Sequence, residues 1–258
     1  MKRVIYSALV VLMLCVVFPV AAFADTITGQ FIGVSRYACS VADRVGAQCV
    51  TNLDHALYYG LNKLGYSYTK SNMANNSLAT QARFYEYASS DKTLFAYAGH
   101  GHSLASYNAF HPYHDSNTSC IANYASQQHT AFKSRYIVAY TCNQLTNDGL
   151  QSKLNNIFRT FKGARVYCGY ASSMYLDSRE GTRFGNNLVN GDSVVDAFNE
   201  AARYYQARRS TGDTIPRAMG YNSAKDDKIT SNQGAAPSWT TSNSSSFSIF
   251  TTIVIPHK

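Results

Sequence analysis

Beyond residue 24 the chain contains no stretch long and apolar enough to span a membrane, which takes roughly 20 consecutive apolar residues. It also contains no run of Lys or Arg, although 23 basic residues against 15 acidic ones give a formal charge of +8. Positive charge scattered in this way makes a soluble basic surface that attracts acidic polymers or lipids. It lacks the clustered footprint of a nucleic-acid-binding protein, and no nucleic-acid partner is expected. No internal repeat is present, and no acidic residue occurs in the first 24 positions.

What those 24 residues do contain is a pattern of their own. Lys2 and Arg3 form a positive start, Val4 to Val20 an apolar run, and Ala22-Phe23-Ala24 a small-residue site. The three together predict a secretory signal peptide over residues 1–24, cleaved after Ala24. The mature chain, 25–258, then has 258 − 24 = 234 residues and a formal charge of 8 − 2 = +6. That length suits one domain with a sizeable core. A secreted or periplasmic location is expected, with no stable membrane insertion after cleavage.

Secretion implies an oxidising compartment in which thiols tend to pair. Six cysteines minus Cys15 leave five: Cys39, Cys49, Cys120, Cys142 and Cys168. An odd number leaves at least one outside intrachain pairs. Sequence does not decide connectivity; one arrangement joins Cys39 to Cys49 and Cys120 to Cys168 and leaves Cys142 over. Tyrosine is abundant, with 20 residues, and its side chain serves cores and binding surfaces alike.

Along the mature chain, strand and helix patterns alternate. Thr26 to Val34 is a first predicted strand, and Cys39 to Val50 a loop. Thr51 or Asn52 can cap a helix to about Leu64, with Leu53, Leu57, Leu61 and Leu64 on one face and Gly65 as its stop. A second helix is predicted over Ser77 to Ala88. The apolar run Thr93 to Ala98 is a buried strand that ends at Gly99-His100-Gly101-His102. Ser103 to Thr130 is polar and aperiodic, and a long surface insertion is expected there. Arg135 to Tyr140 is the next strand and ends at Thr141-Cys142. A helix over Asp148 to Phe161, a strand over Ala164 to Tyr170 and a short helix over Arg183 to Val189 follow. A longer helix capped by Asp192 or Ser193 carries Val194, Val195, Phe198, Ala201, Ala202 and Tyr205. The end of the chain, 221–258, is a polar loop with a final strand at Phe247 to Ile255. This alternation predicts an α/β fold with a mostly parallel sheet and helices on both faces.

Function in such sheets gathers at the carboxyl ends of the strands, and two apolar runs end in reactive side chains, His100 and Cys142. A cysteine nucleophile needs a thiolate or a base near enough to create one, and histidine titrates close to neutrality. Held at adjacent strand ends, the two could flank one carbonyl group. Gly101 lets backbone approach a substrate, and its N–H with that of Cys142 could stabilise an oxyanion.

The block Leu94-Phe95-Ala96-Tyr97-Ala98-Gly99-His100-Gly101, followed about 40 residues later by Ile137-Val138-Ala139-Tyr140-Thr141-Cys142, resembles the caspase–gingipain–legumain superfamily of cysteine peptidases. Val166 to Tyr170 is similar to that family's next core strand, and Phe184 to Ala201, with Leu188, Gly191 and Val195, to its later helical region. The resemblance implies a caspase-like three-layer sandwich and a peptide or protein substrate. It makes His100 the catalytic acid or base and Cys142 the nucleophile. It also implies that the residue two before the cysteine, here Tyr140, helps form the substrate pocket; an acidic residue there is absent. Asp148, Asp177 and Glu180 are candidates for an acidic pocket elsewhere.

Two other readings stand beside this one. A caspase-like protein without activity would serve as a secreted binding protein, its tyrosines and polar loops contacting glycans or cell-surface polymers. Alternatively, His100, His102, His111, His114, Asp115 and His129 crowd into about 30 residues. Of these, His102, His111 and His114 are candidate zinc ligands for a metal-binding hydrolase. The peptidase reading requires no cofactor.

Overall fold

A computed structural model of the protein describes residues 26–35, 45–69, 72–112, 124–206, 212–231 and 233–257. The proposed leader, Cys39, His114 and Cys120 lie outside them. Among the described residues no helix is long and apolar enough to cross a membrane.

The centre is a sheet of eight strands among the described residues. They are β1 (Ile27–Gly33), β2 (Tyr68–Thr69), β3 (Met73–Asn75), β4 (Leu94–Ala98), β8 (Tyr136–Tyr140), β9 (Val166–Tyr170), β10 (Pro216–Tyr221) and β11 (Phe247–Thr252). Their order is β11-β10-β9-β8-β4-β1-β2, with β3 also on β1. From β9 through β1 to β2 every pairing is parallel, whereas β10 and β11 close that side antiparallel. Strands buried on both faces need unbroken apolar sequence, and β4 (LFAYA) and β8 (YIVAY) have it, with every residue buried.

The pleat then sorts alternate side chains into two cores. Leu94, Ala96, Ala98, Tyr136, Val138 and Tyr140 enter one; Phe95, Tyr97, Ile137 and Ala139 enter the other. The first core is covered by helices α1 (Gly46–Lys63), α4 (Ser178–Val189) and α5 (Val194–Gln206), through Leu53, Leu57, Phe184, Leu188 and Phe198. The second is covered by α2 (Gln81–Ala88) and α3 (Gln151–Arg159), through Phe84, Tyr87, Ile157 and Phe158. The result is the expected mostly parallel sheet with helices on both faces, in three layers.

Several boundaries differ from the sequence reading. Helix α1 begins at Gly46, not at Thr51 or Asn52, and its N-cap Val45 makes no side-chain cap. The first turn is instead satisfied from a distance, since Ala47 N–H donates to Ser35 Oγ at 2.8 Å. Thr51 lies inside the helix, its hydroxyl donating back to Ala47 C=O. Helix α4 starts five residues before the predicted position, because Asp177 accepts from Arg179 N–H and caps it. Strand β10 went unpredicted: it begins with Pro216 and contains Gly220, both poor strand formers.

The largest correction concerns the supposed surface insertion at 103–130. Its described parts contribute to a second, three-stranded antiparallel sheet of β5 (Gly101–Ser103), β6 (Asn108–Phe110) and β7 (Ala125–Ser126). Phe110 and Ala125 are fully buried in the second core. Short strands with small and polar residues carry no period that marks them as core.

The disulfide arrangement is also corrected. Cys49 and Cys168 are free, buried thiols. Cys49 lies in α1, wedged against Gly181 of α4, and Cys168 sits in the interior strand β9 facing Val194 C=O. Burial pushes both thiols well above their ordinary value.

Helices α1 and α4 cross with almost no space between their backbones. A methyl group at Gly181 would fall inside contact distance of the Cys49 carbonyl oxygen, and one at Gly185 would meet Ala56 Cβ. Replacing Gly181 with Ala must push the helices apart, at a cost of about 1–3 kcal/mol. Denaturant unfolding of Gly181→Ala should show a lower midpoint at unchanged slope; an unchanged midpoint would mean that the helices separate freely.

Candidate active site

Strands β4 and β8 are adjacent, parallel and in register from Leu94 opposite Tyr136 to Ala98 opposite Tyr140. Gly99 N–H carries the ladder one step further by donating to Tyr140 C=O at 3.2 Å. His100 and Cys142 each lie two residues past the last pair, Ala98 and Tyr140. Neighbouring strands are spaced by about 4.8 Å, so His100 and Cys142 follow adjacent strand ends at the carboxyl edge of the sheet. Both side chains are partly exposed, whereas the strands beneath them are sealed.

The Cys142 turn is built to present its sulfur. Asn143 adopts φ 60°, a left-handed conformation that asparagine tolerates. The turn is then fastened to the neighbouring strand end, with Asn143 N–H donating to Ser172 C=O at 3.0 Å and Leu145 N–H to Tyr170 C=O at 2.9 Å. Sγ itself accepts from Met174 N–H at 3.3 Å, and the thiol donates to Met174 C=O at 3.6 Å. Gln144 is buried and its amide donates to Ala109 C=O at 2.6 Å, joining the turn to β6.

The His100 side is held by β5 and β6. His111 N–H donates to His100 C=O at 3.0 Å, and Tyr97 OH lies within hydrogen-bonding reach of the carbonyls of His100 and His111. Because His111–His100 and Leu104–Tyr107 are bonded positions of the β5–β6 ladder, the pair Gly101–Phe110 falls in a non-bonded position. The ladder therefore does not consume the Gly101 N–H. A side chain at Gly101 would collide with Thr141 Oγ1 and Cys142 C=O, so only glycine lets β5 pack on the Cys142 turn.

Lys153, 1% exposed, ties the two halves together. Its ammonium donates to Ser103 Oγ, to Leu104 C=O at 2.8 Å and to Asp148 at 2.6 Å. Asp148, a candidate for an acidic pocket, is thus committed to Lys153, whose hydrogen bond holds its carboxyl below the ordinary range. The other pocket candidates are placed as follows. Asp177 caps α4 and pairs with Arg179 at 2.7 Å. Tyr140 is 0% exposed, its ring packed on Phe184 and Phe198, so its side chain lines no open pocket. Glu180 is also 0% exposed and accepts from Tyr170 OH and from Gln206 Nε2. Of the histidines considered as metal ligands, His102 and His111 meet ring to ring, with Nδ1 of one facing Nε2 of the other; burial lowers His102. Among the described residues no group of three His, Cys, Asp or Glu side chains could hold a metal ion.

Sequence reasoning missed the segment around Met174 and its support by Gln206. One signal was available: Val195, Phe198, Ala202 and Gln206 share a helical stripe, as do Glu180, Phe184 and Leu188. A polar side chain on an apolar stripe is a candidate for a buried, bonded group.

Glu180 generates a pH prediction. Burial is the main cause that pushes its carboxyl from 4.5 up to about 7. The folded chain therefore keeps this proton after the unfolded chain has released it. The stabilising contribution is complete below about pH 4.5 and is lost as pH rises through 7, on the order of 3 kcal/mol. Unfolding of wild type and Glu180→Gln between pH 4.5 and 8 should diverge, the wild type losing more with rising pH. Parallel curves would remove Glu180 from the pH dependence.

Residues 64–252 match the family described as Domain of unknown function (DUF6345). The comparison with curated proteins gave no match. Among solved structures, the crystal structure of the Arg specific cysteine proteinase gingipain R (RGPB) aligns at 8% identity with a TM-score of 0.45. The alignment covers 76% of this chain and 54% of the gingipain chain, so the chain spans about half the length of that structure.

Proposed function

We propose that this chain, which belongs to the DUF6345 family, is a secreted cysteine endopeptidase acting through His100 and Cys142. The observation that carries this reading is the in-register parallel pairing of β4 and β8, which delivers a histidine and a cysteine together at the carboxyl edge of the sheet. A nucleophile and a base close in space are the minimum for covalent acyl transfer.

In the proposed reaction, a peptide carbonyl lies between the two side chains. His100 takes the Cys142 proton, and the sulfur forms a bond to the carbonyl carbon. The carbonyl π pair moves to oxygen, where the N–H groups of Gly101 and Cys142 hold it. The C–N bond then breaks, the amine leaving with the proton from His100. Water, deprotonated by His100, attacks the thioester and releases the acid and the thiol. Secretion or periplasmic export follows from the leader pattern at residues 1–24.

The second reading, a metal hydrolase with His102, His111 and His114 as zinc ligands, needs three protein ligands around the ion; His102 and His111 meet ring to ring, and among the described residues no group of three could hold a metal ion. Dialysis against a chelator separates the two: the thiol enzyme keeps its activity and the metal enzyme loses it.

On a peptide library, Cys142→Ala and His100→Ala should each lower kcat/KM by about 10³-fold or more, with unchanged circular dichroism. A Cys142→Ala variant with full activity would end the peptidase reading.

A further inference from the structure

The loop that faces the Cys142 sulfur is held from behind by one buried amide. Tyr175, next to Met174, donates its N–H to Gln206 Oε1 at 3.0 Å, and its C=O accepts from Gln206 Nε2 at 2.7 Å. The second hydrogen of the same Nε2 goes to Glu180 Oε2 at 2.7 Å. Gln206 is 1% exposed and is the last residue of α5; Glu180 lies in the first turn of α4. A run of hydrogen bonds and one peptide link thus leads from Glu180 through Gln206 and Tyr175 to Met174, whose N–H reaches the sulfur.

The amide has a preferred direction. Ionised, or protonated on the oxygen that faces Tyr170, Glu180 presents Oε2 to Gln206 as an acceptor, so it draws the NH₂ end of Gln206 toward itself and leaves Oε1 for the Tyr175 N–H. The other groups facing Glu180 are the Tyr170 hydroxyl of β9, the Tyr140 hydroxyl of β8, the Cys49 thiol of α1 and the Asp177 carboxylate at the cap of its own helix. Tyr170 meets one Glu180 oxygen and Gln206 the other.

We infer that Gln206 is a positioning residue for the Cys142 nucleophile, and that Glu180 orients the amide that clamps Tyr175. The inference rests on the reading of Cys142 as the nucleophile. Gln206 touches no reacting atom; it sets where Met174 N–H meets the sulfur. The bond donated to sulfur favours the thiolate and the one from the thiol to the Met174 carbonyl favours the thiol; Gln206 fixes the backbone that makes both, and a small displacement of a reacting group costs rate steeply.

The test uses the mature protein and an iodoacetamide probe, with Cys142 modification followed by mass spectrometry across pH, together with peptide kinetics. Gln206→Met removes the clamp, and Gln206→Asn keeps an amide too short to reach both Tyr175 and Glu180. In either, kcat should fall between about 10- and 100-fold with KM within about twofold, and the alkylation profile should shift along the pH axis. Glu180→Gln, which still offers an oxygen to Gln206, should retain most of the rate. Wild-type kinetics and an unmoved profile in both Gln206 variants would overturn the inference and leave the nucleophile reading intact. An inert Cys142 in the wild type would overturn that reading, and the inference with it. Failure of both Gln206 variants to fold would assign the clamp to the fold and also overturn the inference.

Discussion

The site depends on one pairing. Strands Leu94–Ala98 and Tyr136–Tyr140 are buried along their whole length and lie parallel in register. A slip of one residue would turn every side chain of one strand to the opposite face of the sheet. Phe95 and Tyr97 would then enter the core built for Leu94, Ala96 and Ala98, and the reverse. Filling two separate cores therefore pins the register, and the register places His100 beside Cys142. The adjacency of these two strand ends is in this sense a by-product of packing, secured by side chains buried in the two cores.

Past the strand ends the means change. Apolar packing is non-directional and cannot aim a turn, so buried polar side chains do so. Lys153 fastens Ser103, Leu104 and Asp148, Gln144 joins the Cys142 turn to β6, and Gln206 with Glu180 backs the Met174 segment. An unmade bond in such a place costs more than a made one contributes. Each of these side chains therefore restricts its loop to the few geometries that satisfy it.

Strands β1, β4, β8, β9 and β11 were legible because their apolar patterns are local. Runs such as Leu94 to Ala98 and Ile137 to Tyr140 declare burial on both faces without reference to the rest of the chain. The candidate dyad was legible for the same reason, since each member sits just past such a run. Other features were hidden because their partners are remote. Helix α1 takes its first-turn acceptor from Ser35, twelve residues before Ala47, so no capping residue marks its start. Strand β10 is a strand because β9 and β11 flank it, in spite of Pro216 and Gly220. The polar segment around β5, β6 and β7 looked like a surface loop because its burial is supplied by Phe84 and Phe132, which pack on Phe110 from elsewhere in the chain.

Alternating apolar patterns by themselves determined the α/β class, the mostly parallel sheet and the two strand ends that carry His100 and Cys142, because side-chain period and backbone direction are properties of short segments. Only the tertiary structure decided that Cys49 and Cys168 are buried thiols, that Tyr140 points into a core and not into a pocket, and that Glu180 and Gln206 stand behind the Met174 segment beside Cys142. Those outcomes turn on which groups from distant segments share one desolvated volume. Desolvation and hydrogen bonding act through space, and no local stretch of chain encodes its neighbours across the fold.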